Sequence, residues 1–269
     1  MTLNAFPRSR FRIAALVACA ALVCPRVLPG EPVAVRYPEG LVHGFLALRT
    51  LQGAHLADGD LFQVARGGRV TTRLLFRFKD GSIRDETAVY SQRQHFRLLS
   101  NRLVQKGPSF KPQPLDMSVD ATTGRVVVRY TDEDGKQKVE DERLELPPDL
   151  ANGITLTLLK NIRGGSPVRQ VSMVVPTPKP RLVKLNIEAA DEERFTTGTA
   201  THTSTHYIVK VEIGGLAGVV APLLGKQPPD THVWIEGGEA PAFVKSEGPM
   251  FLGGPLWRIE LVSPVWKSR

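Results

Sequence analysis

Apolar and polar residues alternate with a period of two in several segments of this sequence. Between residues 73 and 78, Leu74, Phe76 and Phe78 fall on one side of an extended chain, while Arg73 and Arg77 fall on the other. Successive side chains of a β-strand point to opposite faces of the sheet, so this pattern is typical of a strand with one buried face. The alternation returns between residues 126 and 130. It predicts a mainly β protein.

Turn signals separate these segments and predict that neighbouring strands are antiparallel. Asp80 and Gly81 follow the first strand directly. Asp-Gly favours a type I′ turn, in which both central residues have positive φ, so we expect a hairpin into a second strand near residues 83–90. An acidic turn at residues 131–136 predicts another reversal. Further strands are expected at residues 168–175, 182–187, 201–213 and 233–235.

One segment has the spacing of a helix instead. Leu150, Ile154, Leu158 and Ile162 follow each other at intervals of four within residues 149–162, and two glycines come soon after. This spacing places apolar side chains on one helical face, and glycine commonly ends a helix. We therefore expect a helix near residues 149–162 that lies against the concave face of the sheet. The predicted fold is an antiparallel barrel or half-barrel with this one packed helix.

The first 30 residues have the pattern of a secretion signal. Arg8, Arg10 and Arg12 precede an uncharged run at residues 13–24, and no acidic residue occurs before Glu31. The run is shorter than the ~20 residues that a membrane-spanning helix needs. We interpret residues 1–30 as a signal peptide and residues 31–269 as a single β-rich domain. The protein is then exported to the periplasm or beyond, with no transmembrane anchor after processing.

The leader also contains both cysteines of the chain, Cys19 and Cys24. Residues 16–19 spell a lipobox, the motif after which bacterial lipoproteins are cut and acylated on cysteine, so a lipid anchor at Cys19 is the alternative to release. Because no cysteine follows residue 24, the exported protein has no internal disulfide.

The distribution of charge argues against nucleic acid as a partner. The chain has 35 basic and 27 acidic residues, a formal net charge of +8, but four of the arginines precede Glu31. From residue 31 onward, 31 basic residues oppose 27 acidic ones, which leaves +4. These residues are scattered along the strands, whereas nucleic-acid-binding surfaces cluster them with aromatic residues.

No motif for catalysis, cofactor binding or metal binding stands out. His202 and His206 lie in a β-prone segment, where they share a face but stand about 13 Å apart. We interpret them as a polar cross-strand row and the other histidines as structural or surface residues. The sequence has neither the Gly-x-Ser-x-Gly of serine hydrolases nor the Gly-x-Gly-x-x-Gly of dinucleotide-binding folds. We predict no catalytic residue, no cofactor and no metal site, while a pair of carboxylates that meet only in the folded chain stays open.

The closing part of the chain carries a family resemblance. A strand at Thr231–Glu236 is followed by the Ala-Pro-Ala-Phe-Val-Lys segment Ala240–Lys245. With the leader, the meander and the central helix, this order resembles uncharacterised exported bacterial β-barrel families and, more distantly, periplasmic lipoprotein-carrier half-barrels. The carrier resemblance implies a curved sheet around an apolar cavity that helices plug and acyl chains occupy. It implies no catalytic residues.

We favour the first of three functions that are compatible with these patterns and keep the other two as alternatives. In the first, a non-catalytic envelope protein binds a lipid or other apolar ligand in a cavity lined by Phe76, Phe78, Leu150, Ile154 and Leu158. The second is an envelope hydrolase with an unrecognised acid–base pair. The third is a structural module that binds another envelope protein through its sheet edge. A continuous apolar cavity favours the first, a cleft with converging ionisable groups the second, and a solid core with one bare edge the third.

Overall fold

The structure of the protein, a computed structural model, describes residues 1, 30–111, 114–197, 199–212 and 228–262. Nearly all of the expected signal peptide lies outside the described residues, so its assignment stays a prediction.

Fourteen strands form one antiparallel sheet in the described part of the chain. They are β1 (Val42–Thr50), β2 (His55–Arg66), β3 (Arg69–Phe78), β4 (Ile83–Gln92), β5 (Phe96–Lys106), β6 (Leu115–Asp120), β7 (Arg125–Thr131), β8 (Gln137–Arg143), β9 (Arg169–Val175), β10 (Arg181–Thr197), β11 (Ala200–Glu212), β12 (Thr231–Glu236), β13 (Ala242–Pro249) and β14 (Leu256–Val262). Their order in the sheet is β8-β7-β6-β5-β4-β3-β2-β1-β14-β13-β12-β11-β10-β9. The sheet is not closed, because β8 and β9 end it without pairing with each other in the described ranges. The predicted class, mainly β and antiparallel with one packed helix, is confirmed.

The side chains of β3 alternate between a buried and an exposed face, as the sequence predicts. Phe76 and Phe78 are buried on the inner face, while Arg73 and Arg77 are exposed on the outer face. The guanidinium of Arg73 binds the carboxylate of Asp85 on β4 through two hydrogen bonds of 2.9 and 2.6 Å. The two faces of this strand are therefore separated as period-two patterning requires.

The turn between β3 and β4 lies where the sequence predicts it, but its type is different. Gly81 has φ of +84°, and no residue other than glycine has positive φ in the described part of the chain. The Gly81 N–H donates to Phe78 O at 3.1 Å, and the Phe78 N–H donates to Ser82 O at 2.9 Å. This is a three-residue loop with glycine in the left-handed conformation at its last position, not a type I′ turn.

The helix is shorter than predicted. α1 spans Thr155–Asn161, and Leu150 lies before it in an extended segment. The Ala151 N–H donates to Ser172 O of β9 at 2.8 Å, and the Ser172 N–H donates to Asp149 O at 3.2 Å. These bonds occupy the backbone that a longer helix needs. Gly153 follows with φ of +69°, outside the helical region.

Apolar side chains form two clusters inside the sheet. The larger one combines residues of β3–β7 with residues of α1 and β9–β12. Because these strands stand far apart in the sheet order, they share a cluster only if the sheet curls around α1. The smaller cluster contains Leu46, Leu48, Ala57, Phe76, Phe78, Phe110 and Trp257. Gly59 of β2 lies so close to the ring of Phe76 that a Cβ atom would stand 2.5 Å from it.

Candidate functional site

The five residues predicted to line a ligand cavity are all buried, but they lie in two different clusters. Phe76 and Phe78 belong to the smaller cluster, and Leu150, Ile154 and Leu158 belong to the larger one. Of the last three, only Leu158 lies within α1, because Ile154 precedes its first residue. The structure therefore does not bring the aromatic wall and the proposed plug into one contiguous group.

The interior between the two clusters contains a bridging side chain. Phe243 of β13 packs against both clusters. Two of the surface depressions among the described residues lie on strands β4–β8 and are lined mostly by polar side chains. Neither is lined by any of the five predicted residues. The cavity stays a proposal.

A chain of buried polar groups connects α1 to the sheet. Glu39 forms an ion pair with Lys160 of α1, and its Oε2 accepts a hydrogen bond of 2.9 Å from Gln63 Nε2 of β2. The Oε1 of Gln63 accepts a bond of 3.3 Å from the hydroxyl of Tyr90. That hydroxyl also lies 3.2 Å from Thr157 Oγ1 of α1. Burial raises the pKa of Tyr90 well above its usual range, so the phenol is neutral and positions the helix.

Ser172, Lys184 and Asp149 bring together residue types that some hydrolases use. Ser172 Oγ donates to Asp149 Oδ1 at 2.8 Å and accepts from Lys184 Nζ at 2.8 Å. Lys184 Nζ also lies 3.5 Å from Asp149 Oδ2. However, Ser172 has 0% of its surface exposed, and a nucleophile needs space for a reacting carbon near its oxygen. These residues join the segment before α1 to strand β9.

A row of histidines lies on the outer face of β11 and β12. His202 Nδ1 is 2.6 Å from Glu236 Oε1, whereas His206 Nδ1 is 2.8 Å from Asp191 Oδ1. The two histidines share a face, as predicted, and contact different carboxylates. His206 Nε2 also lies 2.9 Å from His232 Nδ1 on the neighbouring strand.

His232, which the sequence analysis interprets as a structural or surface residue, contacts His206 across the pairing of β11 with β12. The signal that points to this pair is the alternation of His232 and Trp234 with Val233 and Ile235 in β12. That alternation places His232 and Trp234 together on the face opposite Val233 and Ile235. What the pattern does not give is the pairing of β11 with β12, which sets His206 opposite Trp234.

The two end strands of the sheet differ in whether other residues form hydrogen bonds with their outer edges. At the edge of β9, Asn152 Nδ2 donates to Val174 O at 2.8 Å, and Asn152 Oδ1 accepts from the Val174 N–H at 2.9 Å. The Asn152 side chain thus makes the pair of hydrogen bonds that the backbone of a neighbouring strand would make. Together with the backbone bonds of Ala151 and Ser172, these bonds cover one edge. Covering an edge prevents unwanted pairing with other chains.

Strand β8 has an edge without such a cover among the described residues. The Leu144 N–H donates to Gly124 O at 2.9 Å, and the Asp132 N–H donates to Lys136 O at 2.9 Å. Bonded pairs alternate along an antiparallel ladder, so the even-numbered residues of β8 bond β7. The backbone N–H and C=O groups of the odd-numbered residues therefore point away from β7; these residues are Gln137, Val139, Asp141 and Arg143.

Comparisons with known proteins show a similarity in structure but none in sequence. No family model matches the chain, and no curated protein matches it. The chain is similar to the crystal structure of a β-barrel-like protein of domain of unknown function DUF1849 from Brucella abortus, with a TM-score of 0.46 and 10% sequence identity, covering 86% of this chain and 100% of that chain. A similarity of this degree gives no information about function.

The described residues include no helix with the length and apolar character to span a membrane.

Proposed function

We propose that the protein is a non-catalytic, exported binding module that engages an envelope protein by adding a strand of that partner to β8. The observation that supports this most is the contrast between the two ends of the sheet. Asp149, Ala151 and Asn152 occupy the edge of β9, whereas β8 offers alternate backbone groups on its free side. An extended peptide binds such an edge through main-chain hydrogen bonds.

The side chains of β8 indicate what kind of strand fits. Asp141 on the outer face is neutralised by Arg125, which binds it through hydrogen bonds of 2.9 and 2.6 Å. Glu140 and Glu142 share the opposite face with Lys138, which leaves one net negative charge there. A partner strand with lysine or arginine at alternate positions complements this face. The charges also disfavour indiscriminate pairing between copies of the edge.

The other described groups support a role without catalysis. Ser172 is enclosed, and the histidine row contacts carboxylates and another imidazole, with no hydroxyl nucleophile in the described contacts of His206. The remaining ionisable chain, from Glu39 to Tyr90, holds α1 in place.

Export is part of the same proposal and rests on the leader pattern. Protein from the native cell is expected to begin between about residues 20 and 31, in the region where a signal peptidase cuts. Mass spectrometry of its N-terminal peptide measures this start. An intact Met1 contradicts export by cleavage, and an acylated Cys19 establishes the lipoprotein alternative.

Val139→Pro tests the docking edge. Proline removes the outward N–H of residue 139 without removing a bond to β7, and its ring obstructs an added strand. Val139→Thr is the matched control, because it keeps the N–H and the branched side chain. A photo-crosslinking residue at position 137 in native cells should yield a discrete protein adduct in the parent and the threonine variant, and lose it in the proline variant.

The crosslinking experiment has two further controls. The same photo-crosslinking residue at Val64, exposed on the outer face of β2, should not give that adduct. Urea unfolding shows whether the proline variant keeps its fold. An adduct that persists in a folded Val139→Pro protein would rule out strand addition at β8.

A ligand cavity is the second candidate, and the position of Phe243 favours it. This side chain is only partly buried and stands where the two clusters meet, so its displacement would join Phe76 and Phe78 to Leu150, Ile154 and Leu158. Saturable binding of a fluorescent fatty acid to delipidated protein, weakened by Phe243→Asp in a folded variant, would support a carrier. No saturable binding removes this candidate and leaves the partner-binding module unaffected.

A further inference from the structure

A bulge in β10 changes the face on which two carboxylates lie. Ala189 pairs with Tyr207 and Glu192 pairs with Thr205, so Ala190 and Asp191 together stand opposite the single residue His206. In a regular strand, Asp191 and Glu193 would share the inner face with Ala189, which packs against the larger cluster. The extra residue reverses the alternation and brings both carboxylates to the outer face.

The bulge thereby creates a compact set of metal-ligand donors. One ligand atom each from Asp191, Glu193 and His206 lie within 4.8 Å of one another. The side chain of His206 is 13% exposed and that of Asp191 63% exposed, so the imidazole is held in place while the carboxylates face solvent. Zinc binds carboxylate oxygens at ~2.0–2.2 Å, so donor atoms this close to one another can share one ion after small rotations of the carboxylates.

Neighbouring side chains fix the ring of His206. It stacks on the indole of Trp234 with 4.5 Å between the ring centroids and 4° between the planes. Its Nε2 stands 2.9 Å from His232 Nδ1. With a metal ion bound at Nδ1, Nε2 would carry the proton and donate a hydrogen bond to His232 Nδ1, and this bond would fix the direction of the Nδ1 lone pair. Metal-binding histidines are commonly oriented in this way by a second hydrogen bond.

The negative charge of the two carboxylates also favours a bound cation. Asp191 and Glu193 contribute two negative charges, and an ion pair with Lys245 Nζ, 4.0 Å from Glu193 Oε2, brings one positive charge. Lys245 Nζ also lies 4.0 Å from the centre of the Trp234 ring. Lys245 balances at most one of the two carboxylate charges, and a divalent ion would balance the other.

We propose that Asp191, Glu193 and His206 form a site for a divalent transition metal of the zinc type, with His232 as the positioning residue for the His206 ring. One imidazole and two carboxylates suit zinc and its neighbours in the first transition series. Three protein ligands leave a position for water or for a donor group of another molecule. The site is on the outer face of β10 and β11 and does not depend on docking at β8.

Titration of the purified protein with Zn²⁺ by calorimetry, after removal of any histidine tag, tests the site. One equivalent should bind saturably, and Co²⁺ should give the visible absorption of a coordinated ion. His206→Ala should abolish binding, and Asp191→Asn and Glu193→Gln should each weaken it. His232→Ala should weaken it by about 10–100-fold, as loss of an orienting partner does.

His202→Ala is the matched control, because His202 lies on the same strand and face but pairs with Glu236. It should leave the affinity for Zn²⁺ unchanged. Glu193→Gln keeps the test decisive even if His206→Ala fails to fold, since the Glu193 side chain is only partly buried, with 43% of its surface exposed, and glutamine has nearly the same shape. The absence of saturable Zn²⁺ and Co²⁺ binding to the parent protein, or an equal loss in His202→Ala and Glu193→Gln, would overturn the proposal.

Discussion

Replacing Lys160 with methionine is expected to lower the free energy of unfolding by about 3–5 kcal/mol, as the loss of one partner of a buried ion pair does. The side chain of Glu39 is only 7% exposed, and that of Lys160 is 20% exposed. Gln63 donates a hydrogen bond to the same carboxylate, but it brings no charge. Methionine keeps the volume of the lysine stem and leaves the Glu39 carboxylate buried without its counter-ion.

A double substitution separates the ion pair from the packing of α1. Glu39→Gln combined with Lys160→Met removes both charges and keeps an acceptor oxygen for Gln63. Much of the lost stability should return, since neutral replacements of a buried pair are often tolerated. Urea unfolding measures each variant. If the double variant is less stable than Lys160→Met alone, the buried charge of Glu39 is not the cause of the stability lost in Lys160→Met.

A surface pair supplies the matched comparison. Lys210 Nζ lies 3.1 Å from Glu188 Oε2, and both side chains are nearly half exposed, at 44% and 46%. Lys210→Met should therefore cost at most about 1 kcal/mol. Equal losses from Lys160→Met and Lys210→Met would mean that burial of Glu39 has no energetic effect.

The strands were predictable from the sequence because their signal is local. The alternation of Leu74, Phe76 and Phe78 with two arginines specifies a half-buried strand without any knowledge of its neighbours. The reversal at Gly81 is equally local. Its turn type was not predicted correctly, because a glycine at positive φ fits both a type I′ turn and the three-residue loop that forms.

The helix was only partly predictable, because a distant strand takes up the first residues of the expected segment. The spacing of Leu150, Ile154 and Leu158 fits a helix, yet Asp149 and Ala151 bond to Ser172 of β9. These bonds join residues more than 20 positions apart in the sequence. The spacing of apolar residues within a short segment cannot predict them. Tertiary bonds therefore override a helical pattern of moderate propensity.

The candidate sites depend even more on contacts between distant residues. Glu39 meets Lys160, and His206 meets His232, only after the sheet has formed. A bulge, not a regular alternation, carries Asp191 to the outer face. In sequence these residues look like ordinary charged positions of strands and loops.

Leu158→Ala is expected to destabilise the protein by about 2–5 kcal/mol, the range for a buried leucine whose removal leaves a cavity. Leu158 is 2% exposed and lies in the larger cluster, which joins α1 to strands on both sides of the open sheet. The loss should therefore fall near the upper part of that range if the strands cannot close around the space. Urea unfolding of the variant and the parent protein measures the difference.

The control for this prediction has to be a leucine outside the core. Leu261 of β14 is 52% exposed, so Leu261→Ala should cost well under half as much as Leu158→Ala. Thr157 is unsuitable although it is adjacent to Leu158, because it is buried and its hydroxyl contacts that of Tyr90 at 3.2 Å. Equal losses of stability in Leu158→Ala and Leu261→Ala would show that α1 does not anchor the larger cluster. Truncation of a buried helix residue would then cost no more than truncation of a surface residue.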